Sequence, residues 1–357
     1  MGLLIDLGVI AFQIFVLFNL VMLTVLILIW LERKVLGRIH QRQGPMRVGP
    51  HGTLQSLADG VKLLLKEDVA PSGAERLTFL IAPLLVFAPS FLVFIAIPFT
   101  RDLVVRNLAL GLFYFVAVSS LATVGMVLAG WSSSNKYALI GAARTAAQLI
   151  SYEIPLILVV LAVAMLGGTL NLRELVEFQA PVPNLVLLPL GALIFLMAAL
   201  AEVFRPPFDI PIAESEVLGG PMIEYSGMRW GIFFMAEYGN AFALSALFVL
   251  LFLGGWRGLG PEWLGIIWFM LKTYLMILVL FWMRATLPRL RIDQLMGFAW
   301  EVLLPFSFLN LFIVGTAQLY YWPLWSLSLL SFAGLLGLGY VVERGRVSWR
   351  RSPSLAS

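Results

Sequence analysis

Residues 199–228 read ALAEVFRPPFDIPIAESEVLGGPMIEYSGM, an apolar run that opens directly into a string of acids: Glu202, Asp209, Glu214, Glu216 and Glu224. The chain is 61% hydrophobic and carries only 20 Asp and Glu among 357 residues. Two further carboxylates, Glu153 and Glu237, fall inside other apolar spans. A charged side chain at bilayer depth costs about 2.5–3.5 kcal/mol on insertion scales, so acids placed there mark proton or ion paths by default. The segment predicts an all-α, polytopic membrane helix bundle that handles protons beside a redox or ligand site.

Composition agrees. Mean hydropathy is +0.94 and charged residues make up 12%, half the ~25% usual for a soluble domain. With no Cys there is no disulfide framework, thiolate metal site or cysteine-bound iron–sulfur cluster on this chain. His40 and His51 are the only histidines, which argues against haem or zinc. Electron carriers are therefore expected on partner subunits, with no bound metal or flavin here. The net charge of +4 is better explained by cationic cytoplasmic loops than by nucleic acid.

Runs of about 20 apolar residues are candidate spans. The sequence predicts nine: Gly8–Leu31, Thr78–Pro98, Leu108–Gly130, Tyr137–Leu166, Leu185–Phe204, Gly231–Gly255, Trp263–Leu287, Trp300–Tyr320 and Trp322–Val342. Between them the loops divide eighteen Lys and Arg on one side from Arg101, Arg106, Arg173 and Arg257 on the other. The basic side is expected to be cytoplasmic, which places the N-terminus outside and the C-terminus inside a prokaryotic inner membrane. No basic stretch precedes the first apolar run, so it reads as a retained helix and not a cleaved signal. One membrane domain is expected over 1–347, with eight core helices across 8–320 and an extra ninth over 322–342, then a disordered cytoplasmic tail at 348–357.

The first loop, Glu32–Leu77, is long for a bundle connection. Within it Leu54, Leu57, Ala58, Val61, Leu64 and Leu65 recur at helical spacing opposite Gln55, Asp59, Lys62 and Lys66. That pattern predicts an amphipathic helix at the membrane surface.

The prolines of Arg205-Pro-Pro-Phe-Asp-Ile-Pro stop the fifth helix. Pro211 is suited to open a short helix with Asp209 near its N-cap and Glu214 in its early turns. Such acids are either solvated in an ordinary loop or packed among Phe208, Ile210, Ile212, Val217 and Leu218, where burial raises carboxyl pKa values. Glu153 lies mid-span and about half a turn out of phase with Arg144, so each needs a partner elsewhere: a structural ion pair or a proton relay. Snorkelling accounts for Glu202 as well as function does, and for Glu237, about two turns inside its helix, less well. Glu32, Arg33, Lys34 and Arg38 close the first span much as Arg284, Arg289 and Arg291 with Asp293 end the seventh. Positive-inside anchoring is one reading, and the mouth of a shared cavity is the other.

Four stretches then carry a resemblance: ERKVLGRIHQRQGPMRVGPHGTLQSLADGVKLLLKED at 32–68, GWSSSNKYALIGAARTAAQLISYE at 130–153, RPPFDIPIAESEVLGGPMIEYSGMRWGIFFMAEYGN at 205–240 and RATLPRLRIDQLM at 284–296. In this order they resemble the H-type membrane subunit (subunit 1 in mitochondria) of proton-pumping NADH:quinone oxidoreductase, respiratory complex I. The resemblance covers about Trp30 to Pro305.

It implies a subunit that anchors a hydrophilic arm and shares a chamber in which a lipid quinone, ubiquinone or menaquinone, is the substrate. The implied partners are arm subunits bearing the terminal iron–sulfur cluster, small membrane subunits, antiporter-like pump subunits and membrane lipids. The family's proton-path acids match Glu153, Glu202, Asp209, Glu214, Glu216, Glu224 and Glu237. Its chamber and access positions match Glu32, Arg33, Arg38, Asp59, Phe208, Arg284, Arg289, Arg291 and Asp293. Two positions depart from the family pattern: Ile212 stands where a Glu is common, and Ala299-Trp300-Glu301 replaces Gly-Trp-Lys. The alternatives are the related subunit of an energy-converting hydrogenase or another complex-I-like dehydrogenase, and a stand-alone ion transporter. Against the transporter, the sequence has no internal repeat and no matching pair of interrupted helices.

Overall fold

Proline and glycine set several of the helix boundaries in this chain, among them those at Gly168, Pro189 and Gly254. The computed structural model describes residues 2–349 apart from 213–215, 217 and 260, and the side-chain surroundings of 12–344 within that range. Helix α1 spans Gly2–Ile39. It continues a full two turns past the predicted end of the first span, so Glu32, Arg33 and Arg38 sit on its last turns and not in a loop. Nothing in Glu32-Arg33-Lys34-Val35-Leu36 breaks a helix; only the hydropathy changes there.

Helix α2, Gln55–Leu65, is the expected amphipathic element. Leu57, Val61, Leu64 and Leu65 are exposed, so its greasy face points away from the protein, toward where lipid would lie. Helix α3 is Arg76–Leu92. The third predicted span is two helices, α4 (Gly111–Ser119) and α5 (Leu121–Ser132). Helix α6, Lys136–Gly167, runs unbroken through Pro155 and ends at Gly168, whose φ of 66° supplies the left-handed stop.

The fifth span differs most from expectation. Leu185–Phe204 is interrupted at Leu188, because Pro189 has no N–H to continue the helix and starts a new one. After the short α7 (Leu172–Phe178) and α8 (Asn184–Leu187), α9 covers only the 14 residues Pro189–Glu202. At 1.5 Å per residue that is about 21 Å, short of a hydrocarbon core of ~30 Å. Its buried residues, among them Leu190, Ile194, Phe195, Ala198 and Leu200, place α9 in the middle of the bundle and not against lipid.

Helix α10 is Gly227–Phe252 and α11 is Gly265–Thr286. The eighth span begins earlier than predicted: α12 (Ile292–Gly297) passes through a π-helical turn, Phe298–Leu303, into α13 (Leu304–Leu319). Helix α14, Leu324–Trp349, is the predicted extra helix. It is helical through Ser348 and Trp349, the first two residues of the predicted tail; the rest of that tail, and Glu214 with most of the short helix predicted after Pro211, lie outside the described residues. Among the described residues eight helical stretches are long and apolar enough to cross a membrane, and α9 is the shorter ninth. The fold is a polytopic all-α bundle, and the largest continuous core joins α6, α9 and α10.

Candidate functional site

The loop between α9 and α10 is bound at its base by one side chain. Gln148, on α6, donates from Nε2 to the carbonyls of Ala201 (2.9 Å) and Phe208 (2.7 Å). Phe208 is buried between the rings of Tyr152 and Phe298, with centroids at 5.2 and 6.3 Å. Farther along, Gly220 lies so close to α6 that a Cβ on Gly141 would come within 2.5 Å of its Cα. The segments around Phe208 and Gly220 are thus packed into the protein, while Glu216 and Leu218 between them are exposed.

Arg205 is the centre of this region. The loop carries it back into the bundle, where it is only 4% exposed. Its Nη1 lies 3.0 Å from Glu32 Oε1 and its Nη2 3.2 Å from Glu237 Oε1. Its guanidinium covers the Tyr238 ring at 4.6 Å. Arg284 also reaches Glu32. Positive-inside counting treats Arg205 as one more cytoplasmic cation; the structure corrects this, because buried Glu32, half-buried Glu237 and an aromatic face replace its water. The motif that stops α9 was the available sign that Arg205 turns inward.

Around this network lies a cavity of about 990 Å³, lined among others by Glu32, Arg33, Arg205, Asp209, Glu237 and Arg284. Arg289 also lines it and lies 2.8 Å from Asp209. Burial pushes the Asp209 carboxyl up, Arg289 pulls it back, and the balance stays above the ordinary carboxylate value. A second cavity of about 520 Å³ opens between α1, α2 and α10, lined by Arg33, Asp59, Lys62 and Trp230. There burial works to raise Asp59, but hydrogen bonds from Arg33 and Gln55 outweigh it and hold the carboxyl below its usual value.

A third, narrower space of about 60 Å³ contains Glu153, Glu202, Glu237 and Asn240. It has room for a short file of waters at ~10–15 Å³ each. Glu237, Phe204, Ile212 and Met222 line both this cleft and the largest cavity, and Glu237 is the titratable member of that shared wall.

The remaining predicted residues divide. Glu216 is held by Arg144 at 2.9 Å, the partner that α6 itself does not supply. Glu224 accepts from Asn135 Nδ2, while the Asn135 oxygen caps α6 at the N–H of Tyr137. Arg38, Arg291 and Asp293 are exposed and lie outside the lining of the large cavity; Arg291 and Asp293 approach each other at 3.9 Å. Glu214 lies outside the described residues. Tyr238, Asn240, Asn135 and Gln148 join the site without a charge pattern that would have singled them out.

A family model described as NADH dehydrogenase matches residues 12–315. The chain belongs to the NADH dehydrogenase family. Among relatives, a protein of Dehalococcoides mccartyi (strain CBDB1) named as the H subunit of NADH-quinone oxidoreductase is 50% identical over 84% of each chain. One of the same name from Brevibacillus brevis is 47% identical over 82% of this chain and 88% of its own. A third, from Geobacillus kaustophilus, is 49% identical over 81% and 88%. The stretch of the NADH dehydrogenase family match spans every acid and arginine of the three cavities. The chain has no cysteine, and the described residues contain no His/Cys/Asp/Glu group suited to a metal.

Proposed function

We propose that this chain is the H-type membrane subunit of a bacterial proton-pumping NADH:quinone oxidoreductase. In this reading the cavity of about 990 Å³ is its share of the quinone chamber, and the 520 Å³ space between α1, α2 and α10 is the way in from the bilayer. Hydrophilic-arm subunits dock on the basic side, which faces the cytoplasm. Small membrane subunits and antiporter-like subunits receive the proton signal.

The observation that carries the reading is the shared wall: Glu237 lines both the large cavity and the acid cleft of Glu153 and Glu202. Reducing a quinone in the chamber draws protons from groups at its wall. Adding a unit charge about 8 Å from a carboxylate changes its energy by roughly 2 kcal/mol at an effective dielectric near 20, more than one pKa unit. Glu237 is placed to feel that change through its ion pair with Arg205 and to exchange a proton with the cleft. Asp209, Glu216 and Glu224 hold the loop that forms the chamber floor.

The test is Glu237→Gln in the assembled complex. It removes the titratable group at the wall while keeping its shape, and quinone-coupled proton pumping should fall at least tenfold. Wild-type turnover with pumping intact would refute the reading.

A further inference from the structure

The cavity of about 520 Å³ between α1, α2 and α10 holds more charge than a passage for a neutral molecule needs. Its charged lining is Arg33, Asp59, Lys62 and Lys66, three cations to one acid. Arg33 and Asp59 answer each other in an ion pair. The nearby Asp68 is taken by Arg229 at 2.8 Å. Among the described residues neither Lys62 nor Lys66 is in an ion pair with an acid, and both are exposed. They stand one turn apart at the end of α2, where the N–H of Lys66 donates to the carbonyl of Lys62 at 3.0 Å. A helix C-terminus favours such cations, but that does not account for the donor at the other end of the same helix.

There Ser56 is only 5% exposed, and its Oγ lines the cavity without a hydrogen-bond partner. A buried hydroxyl left unpaired is costly, and an acceptor inside the cavity would satisfy it. Between Ser56 and the lysines, Gly60 also lines the cavity, and a Cβ placed on it would meet nothing within 4 Å. Met22, Val25 and Leu26 of α1 and Phe234 and Met235 of α10 form an apolar wall. The exposed Leu57, Val61, Leu64 and Leu65 of α2 turn toward lipid, which sets the mouth of the cavity at headgroup level. Exposed Trp230 lines it too, as indoles gather at a membrane interface.

An apolar wall, one unpaired donor and two lysines without acids match a lipid whose headgroup is negative. We infer that this cavity binds one anionic glycerophospholipid. An acyl chain lies between α1 and α10, an ester carbonyl accepts from Ser56 Oγ, and the phosphate sits against Lys62 and Lys66. A neutral quinone uses the apolar wall but gives the two ammonium groups no counter-charge. The binding stands on this geometry alone; its consequence rests on the function proposed above. Where the cavity is the way in for quinone, the lipid must move aside first, so an anionic lipid raises the quinone KM.

The test uses the assembled complex, stripped of lipid and refilled with either phosphatidylglycerol or phosphatidylcholine, with retained lipids counted by native mass spectrometry. Wild type should keep one more phosphatidylglycerol than Gly60→Leu, whose side chain fills the cavity and suits a helix better than glycine does. Lys62→Gln should weaken retention of that lipid roughly fivefold, the loss of ~1 kcal/mol per surface cation. Equal retention of both lipids by wild type, or phosphatidylglycerol retention undiminished in Gly60→Leu, would overturn the inference. Should Gly60→Leu prevent assembly, unchanged retention in Lys62→Gln overturns it equally. Retention lost in the variants, with a quinone KM equal in both lipids, upholds the lipid site and tells against the cavity as the way in for quinone.

Discussion

Arg205 and Glu32 are 173 residues apart in sequence and 3.0 Å apart in space, both buried. The pair ties the loop after α9 to the last turns of α1, and the second fork of the same guanidinium takes Glu237. Removing one member of a buried ion pair leaves an uncompensated charge and costs about 3–5 kcal/mol. Arg205→Gln should therefore reduce the yield of assembled complex and its thermal midpoint. Arg205→Lys should not rescue it, since one ammonium cannot span two carboxylates in a planar fork. Equal thermal midpoints for wild type and Arg205→Lys would contradict this.

The carboxylates at the two large cavities respond to pH in opposite senses. Asp59 is held below its ordinary value of 3.8, so its stabilisation of α2 is present above that value and is lost as pH falls through its folded value. Asp209 is held above 3.8, so its contribution is full below that value and is lost as pH rises through its folded value. Mild acid, above pH 3.8, should thus tighten the loop around Asp209 and leave α2 unchanged, and α2 should loosen only below pH 3.8. Hydrogen exchange across 55–65 and 205–212 should show the two trends, and Asp59→Asn and Asp209→Asn should each remove one of them.

Gly141 and Gly220 leave no space for a side chain between α6 and the loop. Gly141→Val is expected to displace the loop, lowering quinone reduction more than tenfold in complex that still assembles. Gly219, where a Cβ would meet nothing within 4 Å but φ is 104°, should cost less when replaced by Asn, which tolerates the left-handed region. Quinone reductase assays on the two variants check the ranking.

Sequence reading found the bundle because apolar runs of membrane length are a one-dimensional signal. It did not find the break at Pro189, which a run of Val, Leu and Ala conceals when only hydropathy is averaged. Helical phase correctly required outside partners for Arg144, and the structure supplies Glu216. The burial of Arg205 was hidden for a different reason. Counting loop cations says which side a loop lies on, and it cannot say that one of them is folded back between Glu32 and Glu237. Arg38, Arg291 and Asp293 match the same stretches as the cavity residues, yet their side chains point outward, a distinction that spacing does not encode.

Lys272 offers a prediction remote from the large cavity. Its Nζ donates to the carbonyls of Leu253 (2.7 Å), Gly255 (3.1 Å) and Arg257 (2.6 Å), which close the end of α10. Lys272→Met would leave these acceptors unmet at about 1–3 kcal/mol each. Amides of 253–257 should exchange faster in the variant, while those of the loop after α9 keep their wild-type rates.

One nitrogen of Gln148 holds both Ala201 at the end of α9 and Phe208 beyond the prolines. The two ends of that turn consequently cannot drift apart without dragging α6. A tilt of this long helix is handed straight to the loop that lines the largest cavity, as a crank hands rotation to a rod. Mechanical displacement, and not charge alone, thus has a rigid route between the wall of the largest cavity and the helices beside it.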